Sequence, residues 1–278
     1  MDLTKIKAIV FDLDGTLYED THHFDYYASK LKEKLSEDVR LLFLKEYDLA
    51  KEDRHTLRMG RVYDVEKDLI LVQLDNQVVE AYKWNGEALP DEKIKTLYSN
   101  PITLDYIRFI NVGDLWWVPV SIALHHGLAP EQAESAFLET RDYMMGPDYE
   151  MKGIPGLKEV LAALHNKIKL VLLTNSPEPD SEVLLQKLGI SPYFDLKLFN
   201  GKKPVRTVEC FETVKETFKL SFDEILSVGD NWINELRPVR PLGCATIFID
   251  THHLGGPDSA DLVVETMGDV IPHLKQLK

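Results

Sequence analysis

The chain has 278 residues, enough for two domains, and a net charge of −14 at neutral pH. Its lysines and arginines are scattered rather than gathered into a basic footprint, so nucleic acid is not an expected partner. Two cysteines cannot build a disulfide framework. No stretch reaches the roughly 20 apolar residues of a membrane span, so a cytoplasmic protein without a membrane partner is expected.

The first predicted element is a strand, Ile6 to Phe11, apolar and β-branched enough to lie buried in a parallel sheet. It runs into Asp12-Leu13-Asp14-Gly15-Thr16, two carboxylates followed by a residue that permits a sharp turn. Ligands of open α/β sheets bind beyond the carboxyl ends of the strands. Two acids placed there can hold a divalent cation, and one of them can attack an electrophile.

Residues 21–149 have another texture. The pattern predicts helices over His23 to Leu35, Glu37 to Met59, Asp91 to Leu97, Leu104 to Ile110, Trp116 to His125 and Pro130 to Met145. Among them sits a β-hairpin, Leu69 to Leu74 and Gln77 to Trp84, turning at Asp75-Asn76. This segment is expected to be an insertion in the first strand-to-helix connection, folded as a mainly helical domain with a small hairpin. Arg54, Arg58 and Arg61 are spaced to share a helix face, and a solvated face is favoured over an anion clasp.

Residues 150–278 return to alternating short strands and helices. Strands are predicted at Ile168 to Leu173, Leu196 to Phe199, Ile225 to Val228, Ala245 to Asp250 and Asp261 to Val264. Helices are predicted at Pro155 to Asn166, Glu178 to Leu188, Val205 to Phe218 and near Met267 to Leu277. With residues 1–20 they predict a doubly wound α/β core around a mostly parallel sheet.

Three further strand ends carry polar groups. Leu170 to Leu173 leads to Thr174-Asn175-Ser176, whose hydroxyl and amide groups can bind an anion, or whose Ser176 can cap the next helix. Gly201-Lys202-Lys203-Pro204 offers a lysine for a phosphoryl group, with Lys202 and Lys203 hard to separate. Ile225 to Val228 leads to Gly229-Asp230, with Asn234-Glu235 beyond it. Asp230 can supply an oxygen to a hard cation. Glu235 could ligate directly, act through water or orient a neighbour, and is taken with Asn234 as a supporting residue. Gly113-Asp114 offers a similar pair but follows a predicted helix, so it is read as a turn.

In these four motifs and their order the chain resembles the haloacid dehalogenase superfamily. The resemblance implies a Rossmann-like core, an inserted cap that chooses the substrate, and Mg2+-dependent phosphatase chemistry on a small phosphorylated metabolite. It implies Asp12 as the nucleophile that forms an aspartyl-phosphate and Asp14 as the acid and base. It implies Gly15, Thr16, Thr174, Asn175 and Lys203 around the phosphate, and Mg2+ held by Asp12, Asp14 and Asp230. An acid at Asp14 favours phosphoesters, whose departing alkoxide needs a proton. A phosphomutase of the same superfamily and a non-catalytic binding protein on the same fold are the alternatives, and a monomer or homodimer is expected.

Overall fold

The computed structural model describes residues 3–256 and 258–277. In chain order the elements are β1 (Ala8–Phe11), α1 (His22–Lys34), α2 (Arg40–Lys51), β2 (Val62–Asp64), β3 (Leu69–Leu74), β4 (Gln77–Tyr82), α3 (Asp91–Leu97), β5 (Phe109–Asn111), α4 (Trp117–His125) and α5 (Pro130–Met145). There follow α6 (Leu157–Leu164), β6 (Lys169–Leu173), α7 (Glu178–Leu188), β7 (Leu196–Leu198), α8 (Thr207–Phe218), β8 (Ile225–Gly229), β9 (Ala245–Ile249), β10 (Leu262–Val264) and α9 (Met267–Leu274). They form two compact units, Met1–Asp20 with Met144–Lys278, and Thr21–Tyr143.

The first unit is a six-stranded sheet in the order β10-β9-β8-β1-β6-β7, with every pairing parallel. All four residues of β1 are buried, as a central strand covered on both faces must be. Helices cross over in both directions from β1, so the doubly wound core is present. The helices carry one apolar stripe each. In α6 it is Leu157, Val160, Leu161 and Leu164, and in α9 it is Met267, Val270, Ile271 and Leu274. A reciprocal capping box between Thr266 and Asp269 starts α9, and Gly189, at φ +67°, ends α7.

Register fixes where the motifs fall. Phe11 lies opposite Leu172 of β6 and Val228 of β8. The Asp12 amide donates to the Val228 carbonyl at 3.2 Å, carrying the ladder one residue further. Asp12, Thr174 and Asp230 therefore leave three adjacent strands at the same end of the sheet. This is also where the connections part to either side of β1, the crevice that open α/β sheets use for ligands.

The second unit holds a four-stranded antiparallel sheet in the order β4-β3-β2-β5. The expected hairpin is β3 and β4, turning at Asp75 and Asn76 with φ +48° and +67°. The sequence reading missed the two three-residue strands, and it read the stretch before Gly113 as helix. The Asp105 carboxylate accepts the amides of Ile107, Arg108 and Phe109, at 3.0, 3.0 and 3.1 Å. That turn diverts the chain from helix and delivers Phe109 to Asn111 against β2. The long helix expected over Glu37 to Met59 stops at Lys51, where Asp53 takes a left-handed φ of +56°. Arg54, Arg58 and Arg61 thus lie in irregular backbone between α2 and β2 rather than on one helix face, and Arg54 pairs with Glu52.

The core of this unit gathers Tyr27, Leu31, Phe43, Tyr47, Ile70 and Ile122, with Trp116 and Trp117 packed against it. A polar network joins it from one side. Glu46 accepts from Trp84 Nε1 at 3.0 Å and meets His126 Nε2 at 2.7 Å, while the His125 ring stacks on Trp84 with centroids 3.8 Å apart. No helix among the described residues is long and apolar enough to cross a membrane.

Candidate active site

The site is assembled from the carboxyl ends of β1, β6 and β8 and from the loop after β7. Lys203 is its centre. Its ammonium donates to Asp12 Oδ1 and to Glu235 Oε1, both at 2.7 Å, and the side chain is 2 % exposed. Lys202 is exposed, which separates two lysines that were hard to tell apart by sequence and favours Lys203, as the resemblance implied.

The loop that carries Lys203 is held tightly. Gly201 N donates to the Thr174 carbonyl at 2.9 Å. A Cβ at Gly201 would stand 3.2 Å from that carbonyl oxygen and 2.8 Å from Leu173 Cδ1, so a side chain here would press on both. Asn175 then grips the lysine's backbone twice. It accepts from Lys203 N at 2.6 Å and donates to Lys203 O at 3.0 Å. Asn175, expected around the phosphate, thus has both amide atoms engaged in placing Lys203. The Lys203–Pro204 peptide bond is cis.

Glu235 arrives by a different route. Residues Trp232–Leu236 form a π-helical turn, whose wider spacing swings Glu235 back over the end of β8. Two buried hydroxyls hold the turn: Ser227 Oγ donates to the Glu235 carbonyl, and Thr207 Oγ1 to the Asn234 carbonyl, both at 2.8 Å. The second oxygen of Glu235, Oε2, accepts from Asn231 N at 2.8 Å. Asn234 is buried beside it, its amide directed at Asn231 Oδ1 at 3.3 Å.

Asp230 faces the β1 turn. Thr16 Oγ1 donates to Asp230 Oδ1 at 3.4 Å. Gly15, at φ +75°, lies so close that a Cβ there would stand 2.2 Å from Asp230 Oδ2. Asp14 is held by two hydroxyls, from Tyr18 on Oδ1 and from Ser176 on Oδ2, the latter at 3.1 Å. Thr174 is 1 % exposed, and its Oγ1 accepts from Ser176 N at 3.0 Å. Sequence reasoning missed Tyr18, which no periodicity marks, and allowed Ser176 a cap. The cap position of α7 belongs to Pro177.

Electrostatics follow from this crowding. Burial pushes the Asp12 carboxyl up against the pull of Lys203, and nearby Asp14 adds to the rise. Burial raises the Glu235 carboxyl too, again opposed by Lys203. For Lys203 burial acts to lower the ammonium, but Asp12 and Glu235 together outweigh it and hold it above its ordinary range. The lysine stays charged. Asp12, Asp230 and Glu235 each place a carboxylate oxygen within 4.8 Å of the other two, so more negative charge converges here than Lys203 alone balances.

A buried carboxylate at a strand end, with an ammonium against it and a second acid two residues on, is an arrangement that can supply a nucleophile, a charge partner and a proton carrier. Comparison with known proteins places the whole chain rather than single residues. The chain is 24 % identical over 282 residues to a phosphoglycolate phosphatase of Salmonella typhi, covering 98 % of this chain and 94 % of that protein. It is 25 % identical over 277 residues to a phosphoglycolate phosphatase of Photobacterium profundum, covering 97 % and 96 %. Its fold matches that of a HAD-hydrolase of Bacillus subtilis bound to magnesium, with a TM-score of 0.54 at 13 % identity over 97 % of this chain and 98 % of the other. The model of the haloacid dehalogenase-like hydrolases matches residues 6–236, from the strand before Asp12 to the turn that carries Glu235, and the chain belongs to that family.

Proposed function

We propose that this hydrolase is a Mg2+-dependent phosphatase that cleaves a small phosphomonoester through an aspartyl-phosphate on Asp12. The observation that carries the reading is the Asp12–Lys203–Glu235 chain of contacts, which holds a carboxylate at the sheet's ligand-binding end with the Lys203 ammonium beside it. In the first step an Asp12 oxygen bonds to phosphorus while the ester P–O bond breaks, and Asp14 gives its proton to the departing oxygen. In the second step Asp14 takes a proton from water as that water's oxygen bonds to phosphorus. The Asp12–phosphorus bond breaks, and inorganic phosphate leaves. Lys203 and Thr174 would steady the phosphoryl oxygens, and Asn175 would keep Lys203 where it is. The two phosphoglycolate phosphatases that the chain resembles support the phosphatase reading.

The donor set fits magnesium. Both Glu235 oxygens already accept hydrogen bonds, so the side chains of Asp12 and Asp230 and the backbone carbonyl of Asp14 would hold the ion, all of them hard oxygen ligands. Bound there, the cation supplies charge neutralisation to the phosphoryl group. Chelation with EDTA is expected to abolish phosphate release, and added Mg2+ to restore it. Persistent turnover in EDTA would remove the metal from this reading. Residues 21–143, which leave the core just past the β1 turn, are proposed to choose the substrate as a cap.

The test is phosphate release from a panel of phosphorylated metabolites in Mg2+, beginning with phosphoglycolate, with Asp12→Asn protein as the blank. Release that the blank lacks supports the proposal. No release from any member defeats it. Gly15→Ala supplies a second check. The left-handed φ and the close approach of Asp230 leave no room for a methyl group. Moving Asp230 by even an ångström is expected to lower kcat/KM roughly 100-fold, with about 1–2 kcal/mol of stability lost. Unchanged kinetics would show that the position of Asp230 is not critical.

A further inference from the structure

The hydroxyls on Asp14 come from two separate parts of the core. Tyr18 lies past the β1 turn and is 1 % exposed; Ser176 lies past β6 and is 9 % exposed. The turn explains how Tyr18 gets there. Gly15 takes a left-handed φ, the Leu13 carbonyl accepts from Thr16 N and Leu17 N, and the backbone of Tyr18 forms a parallel bridge back to Asp14. Packing locks the ring, and the hydroxyl meets Asp14 Oδ1. Ser176 is set independently: its amide donates to Thr174 Oγ1, its carbonyl accepts from Asn200 N at 3.1 Å, and its hydroxyl reaches Asp14 Oδ2.

A carboxyl group turns about two single bonds. Donors on both of its oxygens, each fixed by a different stretch of buried backbone, set both torsions. Both donors are neutral, so they aim the group without adding a charge that would compete for the phosphate. A hydroxyl also accepts, so Ser176 can turn to receive a protonated Asp14 without the carboxyl moving. Proton transfer needs the carboxyl within hydrogen-bond reach of the reacting oxygen, and small misplacements are costly.

We propose that Tyr18 and Ser176 are positioning residues that aim the Asp14 carboxyl at the leaving-group oxygen. The proposal rests on the phosphatase reading and adds to it Tyr18, outside the four motifs, and a different task for Ser176 of the second. A merely structural Tyr18, a core aromatic whose hydroxyl takes the nearest acceptor, would affect all substrates alike. A positioning role would not. An alkyl phosphate expels an alkoxide that needs the Asp14 proton. A nitrophenyl phosphate expels a stabilised phenolate that does not.

The experiment compares kcat/KM for an alkyl monoester drawn from the panel and for p-nitrophenyl phosphate, in wild type, Tyr18→Phe, Ser176→Ala and Ser176→Thr, each checked for folding by thermal melting. The ratio of alkyl to nitrophenyl kcat/KM is expected to fall roughly tenfold in Tyr18→Phe and in Ser176→Ala, and to recover in Ser176→Thr, which keeps the hydroxyl. Ser176→Ala carries the test if Tyr18→Phe does not fold. An unchanged ratio, whether from equal losses on both esters or from none, overturns the positioning role. Absence of turnover of every ester of the panel and of p-nitrophenyl phosphate by the wild type overturns the phosphatase reading itself, and is thereby distinct from failure of this proposal alone.

Discussion

Asp12→Asn protein is expected to fold normally and to release phosphate at least about 10⁴-fold more slowly than the wild type, the scale on which loss of a nucleophile registers. The two halves of this expectation have separate causes. An amide oxygen is a poor nucleophile and cannot form the aspartyl-phosphate, so the first step is lost rather than slowed. Stability is spared because the Asn oxygen can still accept from Lys203, and Lys203 keeps Glu235 as its counter-charge. The substitution also removes one of the charges that burial and Asp14 make costly at this position. The net change in unfolding free energy is therefore expected within about 1 kcal/mol. Thermal melting and single-turnover phosphate release on the same preparation check both halves. A variant that melts like the wild type but retains turnover would show that Asp12 is not the nucleophile.

Much of the core could be read in the sequence because each part of it is a local pattern. Strands covered on both faces are short apolar runs, and β1, β6, β8 and β9 stand out as such. Their ends carry the polar groups, so the sequence alone puts Asp12, Thr174 and Asp230 at strand ends. The rest depends on contacts between residues distant in the chain. Lys202 and Lys203 are equivalent by neighbourhood; the left-handed Lys202 and the grip of Asn175 turn only Lys203 inward. Glu235 reaches Lys203 through a π-helical turn, which shifts side-chain directions by a fraction of a turn and leaves no trace in a 3.6-residue pattern. Tyr18 reads as one more apolar residue after a turn. In the inserted unit, β2 and β5 are three residues long, and Asp105 stops a helix by binding amides with its side chain, which no hydrophobic periodicity registers.

Lys203→Met is expected to have the opposite profile, costing both fold and function. The ammonium is 2 % exposed and stands between two carboxylates. Its removal leaves Asp12 and Glu235 buried without a counter-charge, and breaking a buried pair in this way typically costs about 3–5 kcal/mol. The loss should depend on pH. Burial already raises both carboxyls and Lys203 is what restrains them, so without it both rise further above their unfolded values. A carboxyl raised on folding binds its proton more tightly in the native state. Its contribution is fully present below the unfolded value of about 4 and is lost as pH climbs through the folded one. In EDTA, the melting-temperature gap between Lys203→Met and wild type is therefore expected to be widest near about pH 8 and to narrow toward about pH 5. Adding Glu235→Gln removes one of the stranded charges, so the double variant should regain part of the stability lost by Lys203→Met alone, a coupling that a thermodynamic cycle measures directly. It should regain no turnover, because nothing replaces the ammonium beside the phosphoryl group. A pH-independent gap, or single losses that simply add in the double variant, would mean that Lys203 holds the fold by packing rather than by charge.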